Sequence, residues 1–201
     1  LIVSGGHTQI WIIENYGSYK MLSTTVDDAA GEAFDKGAKI LGLGYPGGPE
    51  IEKLSLNGNP SKYKFTIPNV KSNHLNYSFS GIKTALLYIV RDLSDKDLIK
   101  YKADIASSYQ ESIINILLNK LCKCIDEYAI RDISIVGGVS ANKRFRSLAS
   151  KIEKKIDVRI SFPDMEYCTD NAAMIAMAGY LKYKSGIKSN IDITANPNLT
   201  L

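Results

Sequence analysis

Residues 132–146 read DISIVGGVSANKRFR, and this stretch decides how the rest of the chain is interpreted. An apolar run ends at Gly137-Gly138 and a helical pattern begins near Ser140, which predicts a buried strand that turns directly into a helix. Two glycines at such a turn leave no side chain between the backbone and a ligand, and a helix N-terminus favours anions. The turn therefore suits a nucleotide, although a plain N-cap role for Ser140 and an exposed helical position for Asn142 remain open.

The segments around this turn continue the alternation of strands and helices. VRISFP at 158–163 predicts a second strand, and TDNAAMIAMAGYLKYKSG at 169–186 predicts a closing helix. This strand-helix-strand-helix order predicts parallel pairing with right-handed crossovers. Upstream, apolar residues at helical spacing predict one helix over 80–93 and a long one over about 97–128.

The N-terminal part has a different pattern. Three β-like runs separated by glycine turns predict an antiparallel meander, namely LIVSG, TQIWIIEN and YKMLSTT. The stretch 26–44 then predicts a helix that stops at Gly42 and Gly44. The following residues are rich in Gly, Pro, Asn and Ser, which predicts loops, a short helix after Pro49 and one short strand from Phe65 to Ile67.

A meander followed by helix, strand, helix, strand and helix is the order of the ribonuclease-H-like half from which actin-like ATPases are built in pairs. We therefore expect an α/β chain with the actin-like ATPase (ribonuclease-H-like) fold. It should comprise one lobe and part of the other lobe of that two-lobed architecture, with a nucleotide-binding lobe over residues 1–201. Within it we expect a meander and helix over 1–45, a loop-rich and helical insertion over 46–95, and helices with parallel strands over 96–201. No internal repeat supplies a second half.

Composition bounds the class of protein. The 201 residues are 45% hydrophobic and 23% charged, as in a globular chain. The longest apolar runs fall short of the ~20 residues that span a bilayer, and no signal-peptide pattern is present, so we expect a cytoplasmic protein without a membrane partner.

Cys122, Cys124 and Cys168 have neither disulfide nor zinc spacing, which indicates reduced, packed thiols. The formal net charge of +4 is compatible with a nucleic-acid partner.

Five motifs occur in an order that resembles the tRNA N6-adenosine threonylcarbamoyltransferase family, formerly labelled O-sialoglycoprotein endopeptidase. The resemblance runs from Leu1 to about Tyr180, and His7 in the first motif favours the bacterial or organellar branch. The motifs are VSGGHTQI, DDAAGEAFDKGAKILGLGYPGGP, YSFSGIKTAL, VGGVSANKRFR and CTDNAAMIA.

The resemblance implies transfer of a threonylcarbamoyl group from its adenylate to the exocyclic amine of the adenosine 3′ of the anticodon, in tRNAs that read codons beginning with A. It implies a divalent metal ion, iron or zinc, that polarises the acyl carbonyl and is held by two histidines of one helix and by an aspartate. That aspartate matches Asp170. Without the resemblance, Asp170 reads as a helix N-cap.

The same matching assigns the contacts to the adenylate. Its phosphate and acyl side is expected to meet Ile2, Val3, Ser4, Gly5 and Gly6, and its ribose and adenine to meet Asp35, Gly48, Glu52 and Asn142. Read without the family, Asp35 would pair with Lys36 or Lys39, and Glu52 with Lys53. We expect His7 in the pocket wall or in a hydrogen bond, and His74 exposed.

The family also implies partners: tRNA, a paralogous actin-like subunit and a small ATPase. A basic run on the predicted helix after Gly138 is a candidate tRNA face or, equally, a solvated surface, with the residues Lys143, Arg144, Arg146, Lys151, Lys154 and Lys155. The family's metal-binding histidine pair is not matched by His7 and His74, so we expect this chain to be a C-terminal fragment that lacks the N-terminal lobe and is inactive on its own.

Three other functions agree less well with the sequence. A non-catalytic paralogue that acts as a scaffold is disfavoured by the retained GGVSAN motif and Asp170. Another actin-like phosphotransferase, such as a sugar or acetate kinase, would share the glycine turns but not GEAFDK or FSGIKTA. A protease is the weakest candidate, because the sequence has no His-Glu-x-x-His pattern and no Ser/His/Asp arrangement.

Overall fold

A computed structural model describes residues 1–66, 70, 73–188, 190, 192 and 194. The chain begins with three antiparallel strands in the order β1-β2-β3, which confirms the predicted meander. They are β1 (Ile2–Val3), β2 (Thr8–Asn15) and β3 (Ser18–Thr24). Val3, Ile10 and Leu22 are buried, so each strand contributes a side chain to the core.

Two further strands, β4 (Asp132–Ser134) and β5 (Arg159–Ser161), pair in parallel, as the strand-helix-strand order predicts. A parallel bridge between Ile2 and Val136 joins this pair to the meander. The bridge rests on the Val3 amide, which donates to the Val136 carbonyl at 2.8 Å, and on the Val136 amide, which donates to the Leu1 carbonyl at 2.9 Å. The strands therefore follow one another in the order β3-β2-β1-β4-β5.

Six α-helices surround these strands in the described part of the chain. They are α1 (Ala30–Ile40), α2 (Gly47–Ser55), α3 (Ser80–Arg91), α4 (Asp95–Tyr128), α5 (Lys143–Ile156) and α6 (Ala172–Lys184). Short 3-10 turns occupy Gly138–Ala141 and Met165–Tyr167. None of the described helices combines the length and the apolar character that crossing a membrane requires.

Three predicted boundaries were wrong. The short helix predicted after Pro49 is α2, which begins before that proline, at Gly47. Helix α5 begins at Lys143 rather than Ser140, because residues 138–141 form a 3-10 turn and the Asn142 side chain caps the helix. The strand predicted from Phe65 is not formed at Phe65 or Thr66, and Ile67 lies outside the described residues. Packing explains why an apolar residue occurs at Phe65: its ring lies edge-on to that of Tyr109, with 5.6 Å between the ring centroids.

Helix α4 is the centre of the core. Tyr109, Ile113 and Leu117 are completely buried on it, and the Tyr109 hydroxyl donates to the Ala33 carbonyl of α1 at 2.8 Å. A Cβ atom at Gly37 of α1 would lie 2.3 Å from the Tyr109 ring, so the two helices touch through a glycine. This close packing fixes α1, which carries one wall of the site described below.

The cysteines are free thiols, as expected. Cys124 and Cys168 are buried and Cys122 is partly buried. Burial raises the pKa of Cys124 to about 11 and raises that of Cys122, so both thiols are protonated at neutral pH.

Candidate functional site

A cleft of 510 Å³ opens where the end of β1, helices α1 and α2, the 3-10 turn before α5 and the loop before α6 meet. It contains seven of the residues that the sequence predicts as ligand or metal contacts, namely Ser4, Gly5, Asp35, Gly48, Glu52, Asn142 and Asp170. These residues come from five segments spread over most of the chain. Their convergence on one concave surface supports a common site, while their individual roles stay predictions.

Three predicted contacts lie outside the lining of the cleft. Val3 is completely buried in the strand pairing, and Ile2 is its half-buried neighbour. The Gly6 amide donates to the Ser4 hydroxyl at 3.3 Å, and so does the His7 amide at 3.0 Å. The His7 side chain is exposed and also lies outside the lining. The turn from β1 to β2 is thus organised by the Ser4 side chain.

Two glycines allow the turn to approach its neighbours. The Gly31 amide of α1 donates to the Ser4 carbonyl at 3.0 Å, and a Cβ at Gly31 would lie 2.7 Å from that oxygen. Gly137 has a φ of +98°, and a Cβ there would lie 2.4 Å from the Val3 carbonyl oxygen. Any larger residue would push the turn away from α1 or from the segment after β4, so both glycines set the position of the turn that carries Ser4 and Gly5.

Asp35 and Glu52 each accept a hydrogen bond from the backbone amide at the start of a helix. Asp35 Oδ1 accepts the Gly47 amide at 2.7 Å, and Glu52 Oε1 accepts the Lys143 amide at 2.6 Å. The pairing of Asp35 with Lys36 is not formed, because Lys36 binds Asp28 at 2.6 Å and Glu32 at 2.8 Å. Each cleft carboxylate uses one oxygen in these contacts and retains its other oxygen for a ligand.

Asn142 is buried, with 7% of its surface exposed. The alternative interpretation of Asn142 as an exposed helical residue is therefore wrong. Its Oδ1 accepts the Phe145 amide at 2.9 Å, and its Nδ2 donates to Gln110 Oε1 on α4 at 2.8 Å. Ser140 is completely buried, and its hydroxyl has no hydrogen-bond partner in the described part of the protein. Asn142, and not Ser140, is therefore the N-cap of α5.

Asp170 is exposed and lines the cleft. The N-cap of α6 is Asn171, whose Oδ1 accepts the Met174 amide at 3.0 Å, so the N-cap alternative for Asp170 is wrong. Among the described residues, no hydrogen bond or ion pair engages the Asp170 carboxylate. It is consequently free to bind a ligand.

Among the described residues, the cleft offers a single candidate ligand for a metal ion and not a complete site. Within the described ranges, no group of three or more His, Cys, Asp or Glu side chains is placed to hold such an ion. Asp35 and Glu52 each commit one oxygen to a backbone amide, which leaves Asp170 as the one uncommitted carboxylate lining the cleft. His74 pairs with Glu127 at 2.9 Å and is exposed, as expected. The described part of the chain thus offers one candidate donor and no complete donor set.

The predicted basic face of α5 is divided. Arg144 makes a bidentate pair with Glu111, with both N···O distances at 2.8 Å, and this hydrogen bonding raises the pKa of Arg144. Arg146 donates to the Ser140 and Pro163 carbonyls at 2.7 Å. Both arginines are therefore committed to the fold, while the four lysines of the run are exposed, namely Lys143, Lys151, Lys154 and Lys155.

The motif YSFSGIKTAL supports the fold and lies outside the cleft. Asp27 accepts hydrogen bonds from the Phe79 amide at 2.7 Å and from the Ser80 hydroxyl at 2.8 Å, at the start of α3. Burial acts to raise the pKa of Asp27, but these hydrogen bonds outweigh it and the pKa is lowered. Asp28 binds Lys83 of α3 at 2.6 Å, so two adjacent carboxylates fasten α3 to α1.

Sequence reasoning missed some residues at the cleft. Tyr45 lines it with 86% of its surface exposed, and an aromatic residue inside a Gly/Pro-rich loop is a signal that could have indicated it. Gln110 is a polar residue on the buried face of α4, and its break in an apolar stripe is a comparable signal. A second groove, of 390 Å³, lies between β2 and the end of α4 and contains none of the predicted site residues.

Comparison with known proteins agrees with the motifs. Residues 1–177 match the family described as TsaD, tRNA N6-adenosine threonylcarbamoyltransferase. Proteins with that name are similar over the whole chain: 51% identical in Thermosipho africanus, 47% in Kosmotoga olearia and 46% in Dictyoglomus turgidum.

The chain covers only part of these relatives. All of this chain is matched in each comparison, but it spans about 60% of the length of the relatives from Thermosipho africanus and Dictyoglomus turgidum and 59% of that from Kosmotoga olearia. The family match nevertheless extends over most of the chain and includes every residue that lines the cleft. The chain belongs to the tRNA N6-adenosine threonylcarbamoyltransferase family.

Proposed function

We propose that the cleft binds the adenylate in the transfer of a threonylcarbamoyl group to the N6 amine of the adenosine 3′ of the anticodon, in tRNAs that read codons beginning with A. The observation that carries the proposal is the convergence of Ser4, Gly5, Asp35, Gly48, Glu52, Asn142 and Asp170 on one cleft. Relatives bearing the transferase name match the chain along its whole length. The alternatives of a silent scaffold and of another phosphotransferase have no such support.

The arrangement of donors and acceptors suits a nucleoside. The second carboxylate oxygens of Asp35 and Glu52 are acceptors for ribose hydroxyls, and the second Nδ2 hydrogen of Asn142 is a donor for the base or for a hydroxyl. A Cβ at Gly5 or Gly48 would meet nothing within 4 Å, so the backbone there is open to a flat or bulky ligand group. Ile2, Val3 and Gly6 would act on the phosphate side by positioning the turn that carries Ser4 and Gly5.

The actin-like fold is part of the proposal. An antiparallel three-stranded meander joined through β1 to a parallel pair, with helices between the later strands, is the order expected for a ribonuclease-H-like lobe. Such α/β sheets bind ligands beyond strand ends, at points where neighbouring connections diverge. The cleft lies at such a point, since Ser4 follows β1 and Gly138 follows the continuation of β4.

We assign Asp170 as one carboxylate ligand of a divalent metal ion, iron or zinc, in the assembled enzyme. Such an ion, when bound, supplies polarisation of the acyl carbonyl as the phosphate leaves. This chain's own contribution is to hold an uncommitted carboxylate at the cleft beside Thr169.

The further partners follow from the proposed reaction. The exposed lysines of α5 are candidates for contacts to tRNA phosphates, since the two arginines of the same run are committed to the fold. A paralogous actin-like subunit and a small ATPase are the expected protein partners. The cytoplasm, where tRNA is modified, is the expected compartment.

Isothermal titration calorimetry tests the binding step with AMP and UMP as ligands of the purified chain. We expect AMP to bind and UMP to bind at least about tenfold more weakly, because a site that pairs with polar groups of one base leaves buried groups unpaired with another. Asn142→Ala should reduce the affinity for AMP. Equal affinities for AMP and UMP, or no binding of AMP, would contradict the proposal.

A further inference from the structure

We infer that Gln110 is a positioning residue that fixes the orientation of the Asn142 amide in the cleft. The inference rests on the proposed function, since it names how one nucleotide contact is prepared. Gln110 lies on α4, outside the lining of the cleft, and would act on the proposed ligand indirectly, through its hydrogen bond with Asn142.

The contact is buried on both sides. Gln110 is 5% exposed and Asn142 is 7% exposed, and the Oε1 of Gln110 accepts from Nδ2 of Asn142 at 2.8 Å. Glu111, the next residue of α4, makes the bidentate pair with Arg144 of α5. The central helix therefore holds the first turn of α5 at two adjacent points, one of which ends on a cleft residue.

A count of hydrogen-bonding positions shows what Gln110 controls. The Asn142 amide has two N–H donors and one oxygen acceptor with two lone pairs. The Phe145 amide occupies one lone pair and Gln110 occupies one N–H, so one N–H and one lone pair are left. The cap to Phe145 fixes which end of the amide is oxygen, and Gln110 fixes the direction in which the NH₂ group lies.

Loss of Gln110 would leave the cap but release the other end. The amide plane could then rotate about the last side-chain bond, and a buried N–H would seek a new acceptor. The remaining N–H would no longer be held toward the hydrogen-bond acceptor of a nucleotide. Gln110 thus acts on ligand affinity by preorganisation.

Three variants of the 201-residue chain separate this role from general packing. Gln110→Leu removes the acceptor, whereas Gln110→Glu keeps an oxygen at the same position. Ser108→Ala is the matched control, because Ser108 is a completely buried residue of the same helix whose hydroxyl donates to the Asn59 carbonyl at 3.1 Å, away from the cleft.

The first readout is the ¹H–¹⁵N signal of the Asn142 side-chain NH₂, which requires no ligand. We expect one of its two protons to be shifted and slowed in exchange with water in the wild type and in Gln110→Glu. Gln110→Leu should lose both properties while the Phe145 amide stays protected. Ser108→Ala should leave the Asn142 signal unchanged. An unchanged Asn142 signal in Gln110→Leu would overturn the inference.

The second readout is the Kd for AMP by calorimetry. We expect about a tenfold increase in Gln110→Leu, a change of less than about threefold in Gln110→Glu, and no change in Ser108→Ala. If Asn142→Ala weakens AMP binding but Gln110→Leu does not, the positioning role is refuted and the proposed site stands. If the wild type fails to bind AMP, the proposed function fails, while the NMR signal still decides whether Gln110 orients the amide.

Discussion

The two walls of the cleft are built in different ways. On one wall, Asp35, Glu52 and Asn142 each bind a backbone amide at a helix N-terminus, and each faces the cleft as well. On the other wall, Asp170 is exposed and its helix α6 has no buried residue in the described structure. Side chains of the first wall therefore have a structural role beside their proposed role in binding, while no hydrogen bond or ion pair among the described residues uses the Asp170 carboxylate. Substitutions should separate stability from chemistry according to the wall they alter.

The largest effect is expected at Asp170. Under the proposed function, Asp170→Ala should reduce threonylcarbamoyl transfer by about a thousandfold or more, because loss of the proposed metal ligand would cost several kcal/mol of transition-state stabilisation. The melting temperature should stay within experimental error of the wild type, since nothing in the described fold depends on this carboxylate. Modified tRNA measured by mass spectrometry, bound metal by elemental analysis and the melting curve test both parts.

The adjacent residue provides the control for that experiment. Asn171→Ala removes the N-cap of α6 and should lower stability by about 1 kcal/mol while transfer is retained. If Asp170→Ala keeps its bound metal and near wild-type transfer, the assignment of Asp170 as a metal ligand is wrong.

On the first wall, stability and binding should fall together. Asp35→Ala should reduce the free energy of unfolding by about 1–2 kcal/mol, because it removes the acceptor at the start of α2, and should also weaken AMP binding. Asp35→Asn keeps an acceptor for the Gly47 amide but loses the charge, so it should recover most of the stability. Urea unfolding of the two variants measures the difference. Equal stability of Asp35→Ala and the wild type would show that the helix contact is unimportant.

Gly48 should separate the two properties within the first wall. It lies in the first turn of α2, and a methyl group there meets nothing within 4 Å of the protein. Gly48→Ala should therefore stabilise the chain by about 0.4–1 kcal/mol through the unfolded state, while the methyl group reduces AMP affinity by occupying cleft space. The free energy of unfolding, measured with urea, should rise, while the affinity for AMP, measured by calorimetry, should fall. Unchanged AMP affinity would place the ligand away from Gly48.

The smallest effect is expected on α5, outside both walls. Reversal of Lys154 and Lys155 to Glu should weaken tRNA binding and reduce the slope of log K against log salt concentration by about 1–2, as expected for lost phosphate contacts. Arg144→Leu is different, since it breaks the pair with Glu111 and should mainly lower stability. If the lysine reversal changes neither affinity nor slope, the lysines form a solvated surface and the tRNA lies elsewhere.

Much of this arrangement was predictable from local sequence. Glycine turns after strands and the order of apolar runs predicted the meander and the parallel pair, and the family resemblance supplied seven of the sixteen residues that line the cleft. These features are local because a turn or a strand is determined largely by the residues within it. The motif matches then placed distant residues such as Asp35 and Asn142 at one site before any contact was known.

The rest depends on contacts between distant segments. All three residues of TDN at 169–171 are of types that commonly cap helices, and only the extended backbone of Asn171, with φ −151° and ψ 158°, makes that residue the cap of α6. Gln110 acquires its role because α5 packs against α4, which periodicity alone does not indicate. Phe65 shows the converse error, because its burial against Tyr109 gave an apolar signal that resembled a strand.

The most direct test of the central claim is a titration of the ¹⁵N-labelled chain with AMP, followed residue by residue by NMR. We expect the shifts to concentrate on the amides of Gly5, Gly48 and Thr169 and on the Asn142 side chain, all at the 510 Å³ cleft. Shifts that concentrate instead on the Trp11 indole and Ile130, in the groove of 390 Å³, would contradict the assignment of the cleft as the nucleotide site.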